Sequence, residues 1–254
     1  MTGSSGSADS ASPAHRRLQV VGYLAFFGLM ALLAGLLVRG YAAFGTPWLV
    51  VAVAVAAYLT ADLLSGIVHF LADNFGSPDA PFIGPAFVMP FRLHHTDPMG
   101  IVRHGFFATN GNNALVCLPV LVPVALFAPL TTSRWGYALG VFTFVMLVAV
   151  LLTNQVHKWA HMDEAPRGVR WLQGTGLIIS KAHHDVHHTR PHNTYYCIAI
   201  GAWNPVLERW QVFERLERLI RRWVPGTDPR LRVEQELVQA AVESGVASMH
   251  PSRD

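Results

Sequence analysis

Two cysteines in 254 residues, Cys117 and Cys197, are too few for a disulfide framework, a four-cysteine metal site or an iron–sulfur cluster. Charge is also scarce. Asp, Glu, Lys and Arg make up 14% of the chain, its net charge is +3, and no long basic block offers a footprint for nucleic acid. Lysine is nearly absent, with Lys158 and Lys181 against seventeen arginines, the bias of a GC-rich bacterial genome. There is no Gly-rich nucleotide loop, no internal repeat and no A-x-A cleavage site after the first apolar run. What fills the chain instead is apolar: 52% hydrophobic residues and a mean hydropathy of +0.32 make a lipid bilayer its expected solvent.

Four runs are long enough to cross about 30 Å of hydrocarbon at about 1.5 Å per helical residue. They are residues 18–38, 48–70, 113–130 and 135–156, and the third contains Pro119 and Pro123. Residues 1–17 are too polar to offset the entropy of ordering, so a flexible tail is expected before a membrane domain of residues 18–224. His15, in that tail, looks incidental. Arg16, Arg17, Arg92, Arg103, Lys158, Arg167, Arg170 and Lys181 fall on one side of the four spans, and only Arg39 and Arg134 on the other. The positive-inside rule then puts both termini in the cytoplasm. The stretch from Trp171 to Ser180 is too short to cross and reads as interfacial. From Val206 to Val224, apolar residues at Val206, Trp210, Phe213, Leu216, Ile220 and Trp223 oppose five arginines, the pattern of an amphipathic helix lying on headgroups. Residues 225–254 form a C-terminal tail with one short helix expected from Arg230 to Glu243. The fold class that follows is an all-α integral membrane protein: four transmembrane helices, a cytoplasmic histidine-rich cap and an interfacial helix.

Eleven of the thirteen histidines cluster just outside the apolar runs, and the topology gathers them on the cytoplasmic face. His157 and His161 are four apart and share a helix face. In H-x-x-H-H, His184 shares a face with both His187 and His188, while those two diverge by about 100° and can serve two metals. His183 precedes this motif and His192 follows Pro191. His94 and His95 repeat the adjacent-pair logic before Pro98, which ends a helix there. Asp62, Gly66, His69 and Asp73 share a face of the second span. Asp62, costly in a bilayer, is expected in the outer shell of the site or in a helix-to-helix hydrogen bond. Asp73 is a ligand or the carboxylate that holds a ligating imidazole, and Asn154 can orient a ligand or water beside His157. His104, beside Arg103, suits either a metal or a headgroup patch. An imidazole-rich, thiolate-poor set favours iron, zinc or copper.

At these residues the sequence resembles the lipid desaturase family that includes the plasmanylethanolamine desaturases, the plant Kua proteins and bacterial CarF. The matching strings are Ser65 to His69 with Asp73, Pro90-Phe91-Arg92 with His94 to Pro98, Arg103-His104, Thr109-Asn110-Gly111, Thr153 to Trp159, and Lys181 to Tyr196. They run in order over roughly residues 58 to 224, with Phe70 standing where the family often has Trp. The resemblance implies a histidine-bound di-iron centre that uses O2 to desaturate a membrane phospholipid. In the plasmanylethanolamine branch a 1-O-alkyl chain becomes the 1-O-alk-1-enyl vinyl ether of a plasmalogen. The core ligands expected on this basis are His69, His94, His95, His157, His161, His184, His187 and His188. His183, His104, His192, Asp73, Asn154 and Asp62 stand in reserve as ligands or outer-shell groups.

Electrons must then come from an external donor, a ferredoxin or a cytochrome b5-like protein, docking on the cytoplasmic face of what is expected to be a bacterial cytoplasmic membrane. The same site also suits desaturation of an acyl chain on a glycerolipid such as phosphatidylglycerol, or hydroxylation of a lipid. A non-enzymatic metal transporter or sensor would need polar residues throughout the spans, and apart from Asp62 they are largely missing.

Overall fold

A computed structural model describes residues 13–81 and 83–223. Among these residues every regular element is helical. Four helices are long and apolar enough to cross a membrane: α1 (Pro13–Phe44), α2 (Pro47–Asn74), α5 (Phe106–Phe127) and α6 (Arg134–His161). Shorter elements are a π-helical turn at Gly84–Val88, α3 (Met89–Thr96), α4 (Gly100–Arg103), α7 (Arg167–Gly174), α8 (Lys181–His187), α9 (Asn204–Arg209) and α10 (Val212–Trp223). The protein is thus an all-helical integral membrane protein with four candidate spans.

The chain divides into two compact units. The first, residues 1–61 and 104–157, holds the apolar core of the spans: Phe26, Met30 and Leu33 of α1, Ala57 and Ala61 of α2, Ala114 and Leu121 of α5, and Leu147 and Leu151 of α6 are buried together. With no hydrophobic drive between helices in lipid, close approach depends on small residues. Gly140 is one such point, since a Cβ there would come within 2.7 Å of Leu130 and 2.9 Å of Leu37. Polar side chains join α5 to α6: Asn113 Nδ2 donates to the Val150 carbonyl at 2.9 Å, and Asn154 Nδ2 to the Thr109 carbonyl at 3.1 Å and to Asn113 Oδ1 at 3.3 Å.

Helix bounds differ from the hydropathic runs. The third span starts at Phe106, seven residues before the expected 113, and there the side chains of Thr109 and Asn110 bond back to the carbonyls of Gly105 and Phe106 at 3.0 and 2.9 Å. The first starts at Pro13, so residues 13–17 are helical rather than part of a flexible tail. Proline suits a helix's first position. His15 is not incidental either, for its Nε2 and Gln19 Nε2 both meet Asn112 Oδ1, at 3.1 and 3.0 Å.

The second unit, residues 62–103 and 158–254, carries the last turns of α2 and all the short helices. Its organising feature is the segment 196–204, bound along α2. Asp62, completely buried, accepts backbone N–H groups from Ile200 (2.8 Å), Gly201 (2.9 Å) and Trp203 (3.3 Å). Ser65 Oγ accepts the Ile198 N–H at 3.0 Å. Gly66 lets the two backbones meet, since a Cβ would collide with Cys197 Sγ. Asp62 therefore spends its carboxylate on a loop, neither on another helix nor at the site's edge. The end of α2 is tied off by Arg92, whose guanidinium donates to the carbonyls of Ala72, Phe75 and Gly76 at 3.1–3.2 Å.

The amphipathic stretch after residue 205 is two helices, broken at Trp210 and Gln211, where Gln211 has a φ of 50°. Half of its apolar stripe is spent on the protein itself. Phe213, Leu216 and Ile220 of α10 pack with Phe70, Phe75 and Tyr196 of the protein itself, leaving Trp210 and Trp223 exposed. The expected helix from Arg230 to Glu243 lies outside the described residues.

Candidate metal centre

In the second unit four imidazoles converge from three helices. His94 comes from α3, His161 from the end of α6, His184 from α8, and His188 from the residue that caps α8. Ser180 starts α8 by accepting the His183 N–H, which sets the register of the histidine turn. The Nε2 atoms form a closed ring of contacts: His94 to His161 3.0 Å, His161 to His184 2.9 Å, His184 to His188 3.1 Å and His188 to His94 2.8 Å. A neutral imidazole nitrogen is either donor or acceptor, so at most two of these four contacts can be hydrogen bonds. A cation satisfies all four lone pairs, and nitrogens about 3 Å apart are spaced as neighbouring ligands with metal–nitrogen bonds of about 2.1 Å. His157, one turn before His161 on α6, is likewise buried.

A second group gathers around one carboxylate oxygen. Asp73 Oδ2 lies 3.3 Å from His69 Nε2, 3.1 Å from His95 Nε2 and 3.6 Å from His187 Nε2. Here the outer nitrogens of two of the three imidazoles are fixed by backbone carbonyls. His69 Nδ1 donates to Tyr196 O at 3.1 Å and His187 Nδ1 to Thr194 O at 2.7 Å. A carbonyl only accepts, so the proton sits on Nδ1 and the Nε2 lone pair points inward, the arrangement that orients metal-bound histidines. His187 Nε2, fully buried, makes no hydrogen bond. His95 and His188 also approach His192, all three ligand atoms lying within 4.8 Å of one another. His192 Nδ1 meets the His187 carbonyl at 3.2 Å.

Electrostatics favours neutral rings. Burial, reinforced by neighbouring imidazoles, pushes His94, His184 and His187 well below the ordinary value near 6.5 and His188 down to about 3. His192 is lowered by the same burial. Protons therefore leave these nitrogens available at neutral pH.

Four residues held in reserve lie elsewhere. His183 turns away from its neighbour: its Nε2 accepts from Asn204 Nδ2 at 3.1 Å and sits against Gly201. Asn154 and Asp62 make the structural hydrogen bonds described above, and His104, half-buried, belongs to no metal-competent group among the described residues. The carbonyls of Thr194 and Tyr196 are what sequence reasoning missed, because a main-chain acceptor leaves no mark in the residue type.

Fold and site together define a helical membrane protein with a buried, imidazole-rich cluster suited to metal. Residues 58–232 match the lipid desaturase domain, and the chain belongs to that family. Its members are desaturases, so the protein is an oxidoreductase. The chain is 41% identical over 223 residues to a plasmanylethanolamine desaturase of Myxococcus xanthus, covering 86% of this chain and 76% of that one. It is 43% identical over 190 residues to plasmanylethanolamine desaturase 1 of Mus musculus, covering 73% and 69% respectively. The chloroplastic fatty acid desaturase 4 of Arabidopsis thaliana is 36% identical over 177 residues, 69% of this chain and 52% of the relative. No solved structure matches the chain.

Proposed function

We propose that the protein desaturates the 1-O-alkyl chain of an ether phospholipid of the plasmanylethanolamine type, yielding the vinyl ether of a plasmalogen. The observation that carries the metal part of this reading is the closed ring of four Nε2 atoms beside the Asp73 group. In this reading His94, His157, His161, His184 and His188 hold one iron, and His69, His95, His187 and Asp73 the other, with His192 at the edge both share. Two bound irons supply the O2-derived oxidant that an unactivated C–H bond requires, since no acid or base in the chain can remove such a hydrogen. Overall, two hydrogens leave adjacent carbons of the alkyl chain, and O2 with two further electrons and two protons becomes two waters. The chain's own part is to hold neutral imidazoles inward through Thr194 and Tyr196 and to keep the reacting volume dry.

The two further electrons come from an external ferredoxin or cytochrome b5-like donor, a reading supported by the shortage of cysteine. The excess of arginine and lysine on one side supports termini and centre in the cytoplasm of a bacterium. The proposed catalytic domain is residues 18–224, entered through the first turn of α1 at residues 13–17. Similarity to the Arabidopsis fatty acid desaturase favours a second reading, desaturation of an acyl chain. Lipid extracts from cells making the protein, given an alkyl ether precursor and a donor system, decide between them. Acid-labile vinyl ethers are expected. A new acyl double bond without them would establish the second reading, and neither product would overturn both.

A further inference from the structure

Eleven consecutive residues from Pro81 to Phe91 carry no charge, Pro-Phe-Ile-Gly-Pro-Ala-Phe-Val-Met-Pro-Phe, within what the spans leave as a connecting segment. They are too few to cross a bilayer. Apolar stretches of roughly 10–14 residues are the length of helices buried in a core or lying in the membrane interface. A core position is ruled out by exposure, since Ile83 is 63% exposed, Met89 39% and Leu93 55%, with Pro85 and Pro90 also on the surface. The opposite side is occupied. Gly84 and Val88 are buried, and His94 points into the imidazole ring. A helix apolar both where it packs and where it is bare suits hydrocarbon better than water.

Its depth is fixed within the same unit. The Phe91 ring lies 4.9 Å from that of His69, which sits in spanning helix α2 between the exposed Val68 and Leu71. The next residue, Arg92, caps the carbonyls that end α2. The segment therefore runs level with the last turns of a span, with its cation turned toward the helix end. Its backbone is also prepared for lipid, where an unsatisfied N–H is costly. Gly84 N–H bonds to Ala80 O at 2.9 Å, and Met89 N–H reaches Gly84 O through the π-helical turn, so the N–H group just before each proline is satisfied.

We infer that the π-helical turn and α3 form an interfacial helix whose Met89 and Leu93 side is immersed in the hydrocarbon of the bilayer, placing lipid chains against the wall of the histidine cluster formed by Phe91. The occupant of this face is lipid rather than protein. The second half of the statement, delivery of substrate chains, rests on the proposed desaturase activity; the immersion does not.

The test is spin-label depth measurement on the full chain in phosphatidylethanolamine–phosphatidylglycerol vesicles. Single labels go on Met89→Cys and Leu93→Cys, with Leu64→Cys on α2 as the lipid reference and Asp163→Cys as the aqueous one. Labels at 89 and 93 are expected to be relaxed by O2 over a nickel chelate with the sign found at 64, opposite to that at 163. Chelate accessibility like that at 163 would overturn the inference, and so would shielding from both reagents, which would mean a protein partner or second copy. A second arm uses the Met89→Glu/Leu93→Glu variant. Retained metal content with conversion of vesicle lipid lowered at least about tenfold is expected, from the cost of a charge in hydrocarbon. Unchanged conversion overturns the delivery role. If no variant or parent desaturates anything, the activity reading fails while the depth result stands.

Discussion

Because His183 accepts from Asn204 while its neighbour His184 directs Nε2 at His161 and His188, substitutions at these adjacent positions separate metal binding from local packing. His184→Ala is expected to lower metal affinity by more than the roughly 100-fold that losing an outer hydrogen-bond partner can cost, and to abolish activity. His183→Ala should keep its full metal content. Metal analysis of both purified variants checks this, and equal metal loss in the two would contradict the ligand set. Sequence spacing put His157 with His161, and His184 with His187 and His188, on shared helix faces, since helical periodicity decides which imidazoles can be neighbours. The sequence reading held His183 in reserve behind His184, but what turns it away is Asn204 and Gly201, residues that reach it only through the fold. Asp62 was legible as exceptional, but its partners are main-chain amides well over a hundred residues away.

At the scale of the element, α10 shows how an amphipathic pattern is spent. Its apolar stripe reads equally well as a membrane-facing or a protein-facing surface, and only the presence of Phe70, Phe75 and Tyr196 opposite Phe213 decides it. The Phe213 ring lies 4.8 Å from Phe70 and 5.1 Å from Tyr196, whose carbonyl orients His69. Phe213→Ala should cost about 3 kcal/mol or more of stability through the cavity it leaves. Loosening of Tyr196 should then weaken metal retention while α10's arginines remain unchanged. A thermal unfolding midpoint within error of the parent would show that the stripe is not packed as described. Helix ends were less legible than helix cores. Hydropathy marks where residues are apolar, whereas α1 and α5 extend into polar turns whose hydrogen bonds are satisfied by side chains such as Asn112 and Asn154.

For the whole molecule, the buried imidazoles couple stability to acidity. His94, His184, His187 and His188 are depressed in the folded protein, and their unfolded value is near 6.5. Below that value the unfolded chain binds more protons than the folded one, so stability falls as pH falls and levels off only below the folded values, about 3 for His188. Metal-free protein is expected to show a flat melting temperature above about pH 6.5 and a continuous decline beneath it. The metal-loaded form should start to decline at lower pH, because bound cations compete with protons for the same lone pairs. Melting temperatures of chelator-stripped protein across this range check the first statement; a rise on acidification would contradict it. The four candidate spans, the spacing of the histidines and the family were readable from the chain, because apolar length and imidazole spacing are local properties. The interfacial helix after Ala80 was not, because its prolines and glycine obscure any helical period.

The carbonyls of Thr194 and Tyr196, which orient His187 and His69, come after every histidine of the cluster in the order of synthesis. A ribosome has therefore delivered all four spans and nearly every imidazole before the chain that fixes the inner lone pairs exists. The tautomers of His69 and His187 are thus fixed by main-chain groups made after the histidines themselves, and the one at Tyr196 begins the segment that binds Asp62.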